Sequence, residues 1–312
     1  MRNSINRAKA VKYGAGIAVN AARWAFFLLI AFVVLYPLFT QIVSVFMSAD
    51  DIYNMSVRYI PRNFTFKNLI NAWDRIGLEK VYPTTIQYTV TVVLLEVASC
   101  TMVGYSLARF KFALNKPLTV LCIIGLALPP DLLQIPLYNL FRNFNLFGLI
   151  PLINNGEPLN FIDTQIPGIV LGALAVGLRC GLYILIMRQF FGGMPKEMEE
   201  AASIDGCGPI GVFLKIMLPG ARTMMITIGL FAFVWTWTDC NFNYNFMRLS
   251  DILAVILRDF NGNAADSMIA DQVTMNLQSY AAILYLVIPL IILYMFTQRF
   301  FVESVERSGL VA

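Results

Sequence analysis

The chain has 312 residues, 58% of them hydrophobic and 13% charged, with a mean hydropathy of +0.67, whereas soluble domains run at about half apolar and a quarter charged. This excludes an ordinary soluble enzyme and describes an all-α polytopic membrane protein whose solvent is the lipid bilayer. The net charge of +4 is modest and the 23 basic residues form no aromatic-interleaved stripe, which excludes nucleic acid as a partner.

A membrane helix needs about 20 mostly apolar residues. The amino-terminal tail, 1–23, carries Arg2, Arg7, Lys9, Lys12 and Arg23 without an acid, and a first span follows at Trp24–Phe46. Its apolar run exceeds the roughly 7–15 residues of a secretory signal, so it is expected to be retained. The outer loop 47–82 contains YIPRNFTFKNLINAWDRIG, which predicts a capped amphipathic helix at the outer surface. The second span is Pro83–Leu107. The third, Leu118–Leu140, holds Pro129, Pro130, Asp131 and Pro136, which remove backbone donors and predict a kinked or partly unwound helix. Irregular backbone at membrane depth needs protein or a cavity around it, so this span is expected inside a bundle. Ile166–Met187, Thr223–Phe242 and Ser279–Phe300 complete six spans.

Lysine and arginine collect on the cytoplasmic side of short loops. The tail and the loop holding Arg109, Lys111 and Lys116 are free of acids and belong inside. The segment with Asp251, Asp259, Asp266 and Asp271 against Arg248 and Arg258 belongs outside. Six crossings with both termini cytoplasmic satisfy these signs. The core is then 83–300, followed by a cytoplasmic tail, 301–312. No internal repeat or low-complexity tract is visible. Histidine is absent, removing the commonest general base and metal ligand. Cys100, Cys122, Cys180, Cys207 and Cys240 form no CxxC pair and read as small core residues.

The loop 189–220 faces the cytoplasm and is polar between two apolar spans. Pro195 suits a first helical turn, and Glu197, Glu199 and Glu200 sit at its positive end. Ala201, Ala202 and Ser203 keep one face slim, and Asp205-Gly206 ends the helix with glycine at the left-handed position. Pro209 opens a second short helix that runs through Phe213 and Ile216 to a stop at Pro219.

From Glu200 the pattern is Glu-Ala-Ala, three residues, Gly206, nine residues, Ile216, one residue, then Leu218-Pro219. It resembles the EAA signature of the inner-membrane permease subunits of binding-protein-dependent ABC importers. IPLYNLF at Ile135–Phe141, MRQFFGGMPKEMEEAASIDG at Met187–Gly206, QRFFVESVERSGLVA at Gln298–Ala312 and IPRNFTFKN in the first outer loop are similar to the carbohydrate branch, in particular its smaller, maltose-type permease subunit. Two places depart from the pattern. The fifth span has Trp237-Thr238-Asp239 where the family usually shows Trp-Asn, and the carboxyl end lacks the family's glycine-containing form. The tail's contact with the ATPase is therefore less firmly implied than the loop's.

The resemblance implies a type I importer transmembrane domain whose loop forms coupling helices. Glu200, Ala201, Ala202, Asp205, Gly206, Ile216, Leu218 and Pro219 would then meet a separate ATPase. It also implies a second, non-identical permease subunit, two ATPase subunits and an extracytoplasmic solute-binding protein. The outer loops, including Asn154–Ile166, are candidate docking surfaces for that binding protein. No cofactor is expected on this chain: it has no Gly-x-x-x-x-Gly-Lys-Ser/Thr loop, so ATP and magnesium belong to the partner ATPase. The implied cargo is a sugar or oligosaccharide. Importers of amino acids or osmolytes share the loop and stay as alternatives. An intramembrane enzyme would need a polar constellation such as HExxH or GxSxG, and neither occurs.

Charges inside a span are expensive and mark function or pairing. Glu96, Asp131 and Arg179 qualify. An ion pair of Arg179 with Glu96 or Asp131 that fixes helix packing is the simpler account. The sharper one places Arg179 in the translocation cavity, with Trp237 and Asp239 in the same set of candidate path or ion-pair residues. Tyr138, Trp235, Trp237 and Tyr244 suit stacking on sugar rings, but core or interface packing is preferred.

Overall fold

A computed structural model describes residues 2–54, 56–145, 157–260 and 269–309, and every regular element among them is helical. In chain order these are α1 (Arg2–Val45), α2 (Ala49–Tyr53), α3 (Lys67–Ile76), α4 (Leu78–Arg109), α5 (Asn115–Ala127), α6 (Pro130–Arg142), α7 (Ile166–Ala173) and α8 (Cys180–Gly193). There follow α9 (Glu197–Ile204), α10 (Pro209–Gly220), α11 (Arg222–Thr238), α12 (Cys240–Phe246), α13 (Leu253–Asp259) and α14 (Ile269–Gly309). Asn154 to Gly156 of the expected docking loop, Asp266 and the last three residues of the tail lie outside the described residues.

Two compact units form. The first takes α1, α2, α3 as far as Ala72 and α14 as far as Leu284. Apolar side chains of α1, from Trp24 to Phe39, stand exposed as a lipid-facing helix requires. Pro37 lies within it, and Thr40 Oγ1 donates to the Pro37 carbonyl at 2.9 Å. The end of α1 is capped from α3: buried Asn68 donates through Nδ2 to the carbonyls of Val45 and Met47, each at 2.8 Å. Buried Asp51 accepts from Asn63 N at 2.8 Å and Nδ2 at 3.2 Å. The amphipathic helix expected in the first outer loop is present as α3.

The second unit is built around α4, whose 32 residues run about 48 Å. It packs against α7, α8 and α11. Gly104 permits the close crossing with α8, since a Cβ there would sit 2.6 Å from Met187 Cβ. Ser99 Oγ donates to the Gly172 carbonyl of α7 at 2.7 Å. Two apolar clusters lie along α4. One joins Cys100, Tyr105, Tyr183, Met187 and Phe191 to residues of the loop; the other gathers Tyr88, Val92, Phe141, Leu171 and Phe246.

Three helical stretches, Val19–Val45, Leu78–Arg109 and Gln272–Phe300, are each long and apolar enough to cross a membrane. With the bent pairs α5/α6 (108°) and α10/α11 (72°) the number rises to five. The first bend falls at Leu128-Pro129, as the prolines predict. The fourth expected span differs from a plain helix: α7 ends and α8 begins only at Cys180. Ala175 takes φ 56°, Val176 N donates to Leu171 O at 3.0 Å, and Ala175 N donates to Gly172 O at 3.2 Å. That is a Schellman cap with alanine in the left-handed seat. The fifth span also stops early, at Thr238, because Asp239 Oδ1 accepts from Phe242 N at 2.9 Å and starts α12 instead.

Candidate functional site

The loop between α8 and α11 is a two-armed element with a capped turn between its arms. Helix α9 ends in a second Schellman cap: Cys207 N donates to Ala202 O at 2.9 Å, Gly206 N donates to Ser203 O at 3.1 Å, and Gly206 has φ 84°. Pro195 lies before α9 rather than in its first turn. In α10 the five residues Phe213–Met217 form a π turn, a widening that accommodates Pro219, which brings no N–H and crowds the carbonyl one turn back. The arms have two faces. Ala202, Val212 and Met217 are buried in the same apolar cluster as Tyr105, Met187 and Phe191. Glu200, Ala201, Asp205 and Gly206 are exposed, Pro219 is exposed, and Ile216 and Leu218 are half-buried. The slim face is thus split: Ala202 packs inward and Ala201 points out.

One residue ties this element to α4. The Arg109 guanidinium, its side chain 6% exposed, donates through Nη2 to the Met194 carbonyl at 2.8 Å, and its Nε lies 3.1 Å from Glu199 Oε1. The latter is an ion contact whose angle falls short of a hydrogen bond. Met194 caps α8, so the cation also sits at that helix's negative end. In the sequence Arg109 carries only an orientation signal, as one of three acid-free basic residues in its loop.

Midway along α4, between the two apolar clusters, polar groups converge. Arg179 Nη1 donates to Asp239 Oδ2 at 2.9 Å, and its guanidinium stands 5.1 Å from the Trp235 ring centroid. Arg179 therefore pairs with neither Glu96 nor Asp131: Asp239, 60 residues away in sequence, is its partner. Glu96 is 8% exposed and receives Cys180 Sγ at 3.8 Å. Gly177 makes room for that carboxylate, since a Cβ would lie 2.8 Å from Oε1. The cavity bounded by Glu96, Arg179, Asp239 and Asn243 measures about 50 Å³, room for water and not for a sugar ring. Trp237 is fully buried and donates through Nε1 to Leu286 O at 2.9 Å, so it presents no surface to a cargo in this conformation.

Asp131 lies elsewhere. It opens α6, accepts from Gln134 Nε2 at 3.0 Å, and lines a cleft of about 540 Å³ with Tyr138, Asp163, Tyr244, Arg248 and Arg258. Among the described residues no cluster of side chains could hold a metal ion, and the five cysteines are free.

A family model described as "Binding-protein-dependent transport system inner membrane component" matches residues 101–307. The chain belongs to this family. It is an inner-membrane, multi-pass transport component, and not an enzyme. The permease is 28% identical over 207 residues to "Probable ABC transporter permease protein YurM" of Bacillus subtilis, covering 66% of this chain and 62%, under two thirds, of that one. It is 26% identical over 292 residues to "Arabinooligosaccharides transport system permease protein AraQ" of Halalkalibacterium halodurans, covering 91% of this chain and 93% of AraQ. Its fold matches a chain in the crystal structure of a bacterial ABC transporter involved in import of the acidic polysaccharide alginate, with a TM-score of 0.63, 21% identity, and 91% and 95% of the two chains covered.

In the permease, Arg179→Met is expected to strand the Asp239 carboxylate. Losing one partner of a buried pair costs about 3–5 kcal/mol; with Arg179 32% exposed the expected loss is about 1–3 kcal/mol. The check is the thermal midpoint of the purified complex. Asp239→Asn should lower it similarly, and the double variant by less than the sum. Wild-type stability with uptake alone lost would assign the guanidinium to the cargo instead.

Proposed function

We propose that the permease forms part of the translocation path of an ATP-driven importer for a sugar or oligosaccharide handed over by an extracytoplasmic binding protein. It works beside a second, non-identical permease and two ATPases that bind ATP and magnesium. Six spans with both termini inside, a core at 83–300 and a coupling loop at 189–220 make up this reading. The matches to an arabinooligosaccharide permease and to an alginate importer support the carbohydrate cargo.

The observation that carries the coupling role is an exposed apolar face that none of the described residues covers. Ile204, Ile210 and Leu214 are 86%, 75% and 52% exposed on a helix pair whose other face is rooted in the bundle. At an aqueous end of the molecule such a patch marks an interface, and the ATPase is the partner this reading places there. When two ATPases close on nucleotide, a capped knob moves as a body and carries the attached helices with it.

Ile210→Glu with Leu214→Glu is expected to leave the permease folded, because both side chains are exposed, and to weaken co-purification of the ATPase by at least about tenfold. Wild-type stoichiometry in the purified complex would sink the coupling role of this face.

A further inference from the structure

The cleft beside Asp131 holds a feature that the transport reading leaves unused. Arg258 and Arg248 place their guanidinium carbons 4.1 and 4.9 Å from the centroid of one ring, Tyr244. The two cations are thus at most about 9 Å apart. The ion pairs among the described residues are Lys80 with Asp251, Arg109 with Glu199 and Arg179 with Asp239, so neither Arg248 nor Arg258 has a carboxylate partner there. Arg258 Nη1 donates to the amide oxygen of Asn241 at 3.4 Å.

The acids in the cleft are already engaged. Asp131 accepts from Gln134 and Asp163 accepts from Leu249 N at 3.2 Å. Asn245 donates to Gln134 Oε1 at 2.5 Å, which fixes the opposite wall. Two planar cations held against one ring, in a cleft that also offers Asp131, Asp163 and Asn241 beside Ile135 and Ile162, are preorganised for an anion with flat, two-oxygen geometry. The volume of about 540 Å³ falls within the range of small-molecule sites.

We propose that this cleft binds an acidic saccharide, with Arg248 and Arg258 receiving its carboxylate while Asp131, Asp163 and Asn241 bond its hydroxyls. The proposal rests on the saccharide-importer reading and narrows its cargo. Lys80 with Asp251 marks the same end of α4 as this cleft's elements, roughly 43 Å of helix from Arg109. The acidic rim of a docking protein is the competing occupant. Two guanidiniums gathered on one ring suit a single carboxylate better than a row of spaced acids.

The test uses the complete complex, permease with partner permease and ATPases, in lipid nanodiscs. Digalacturonate and its neutral counterpart galactobiose are titrated by calorimetry. Digalacturonate is expected to bind at least about tenfold tighter, and Arg248→Gln or Arg258→Gln each to remove about tenfold of its affinity while leaving galactobiose unchanged. Tyr244→Leu, which removes the shared ring, is expected to cost about threefold. Equal affinity for the two sugars, or variants without effect, overturns the proposal. So does a result in which the arginine variants weaken only docking of the binding protein. Binding-protein-stimulated ATP hydrolysis with a neutral oligosaccharide is measured in parallel. If it persists while digalacturonate fails to bind, this proposal falls alone. If no saccharide-loaded binding protein stimulates hydrolysis, the importer reading falls and takes the proposal with it.

Discussion

Gly206→Val is expected to leave the complex assembled yet to uncouple ATP hydrolysis from uptake. Gly206 sits at φ 84° with nothing within 4 Å of where a Cβ would stand, so the penalty is one of backbone conformation alone. A β-branched residue is a true outlier in that region, and the left-handed conformation costs about 1–2 kcal/mol without glycine. That shifts the population of the capped turn roughly 5–30-fold. Both cap hydrogen bonds, from Gly206 N and Cys207 N, depend on the turn, so α9 would fray at the end that meets α10. Uptake into proteoliposomes and ATP hydrolysis, measured on one preparation, read the ratio directly. Gly206→Asn is the control: asparagine enters the left-handed region readily and should retain most of the coupling. A valine variant with wild-type transport per ATP would refute the argument.

Arg109→Gln is expected to cut coupled transport more than about tenfold without dissociating the ATPase. Two interactions end at once: the bond to the Met194 carbonyl and the contact with Glu199, whose side chain is only 23% exposed. Leaving a partly buried charge or carbonyl unpaired costs about 1–3 kcal/mol. The cost is local to the junction of α4, α8 and α9, while the exposed face of Ile204, Ile210 and Leu214 stays in place. Adding Glu199→Gln removes the stranded charge and should recover part of the loss, which a double-mutant cycle on transport rate measures. Arg109→Lys should recover less, lacking the fork that reaches two acceptors. Additive losses in the cycle would show that the two side chains act separately.

How much was legible in the sequence follows the range of each interaction. The loop 189–220 was readable, Pro195 apart, because its signals are local: a glycine in the left-handed seat, a proline opening the second arm, acids in one first turn. Pro129-Pro130 announced the bend after α5 for the same reason. The partner of Arg179 could not be read that way, since Asp239 lies 60 residues off and only folding brings them within 2.9 Å. Arg109 likewise meets groups 85 and 90 residues away, and its one sequence signal was spent on orientation. The break in the fourth span escaped for a different reason. Its left-handed residue is an alanine, so the Gly177 two positions on was the nearest hint, and it marks the Glu96 carboxylate instead. The shortened fifth span was readable in principle, because Asp239 caps the next helix with its own side chain.

That break divides the expected fourth span into two arms with a corner between them. Helix α8 is a stiff arm of 14 residues, about 21 Å long, with a corner at Ala175 above it and the Arg109 clamp at its lower end. A swing of roughly 10° about the corner would carry the Met194 end about 4 Å sideways, and the Arg109 end of α4, bonded to Met194, would have to follow it. A straight column would have to tilt through its whole length to do the same.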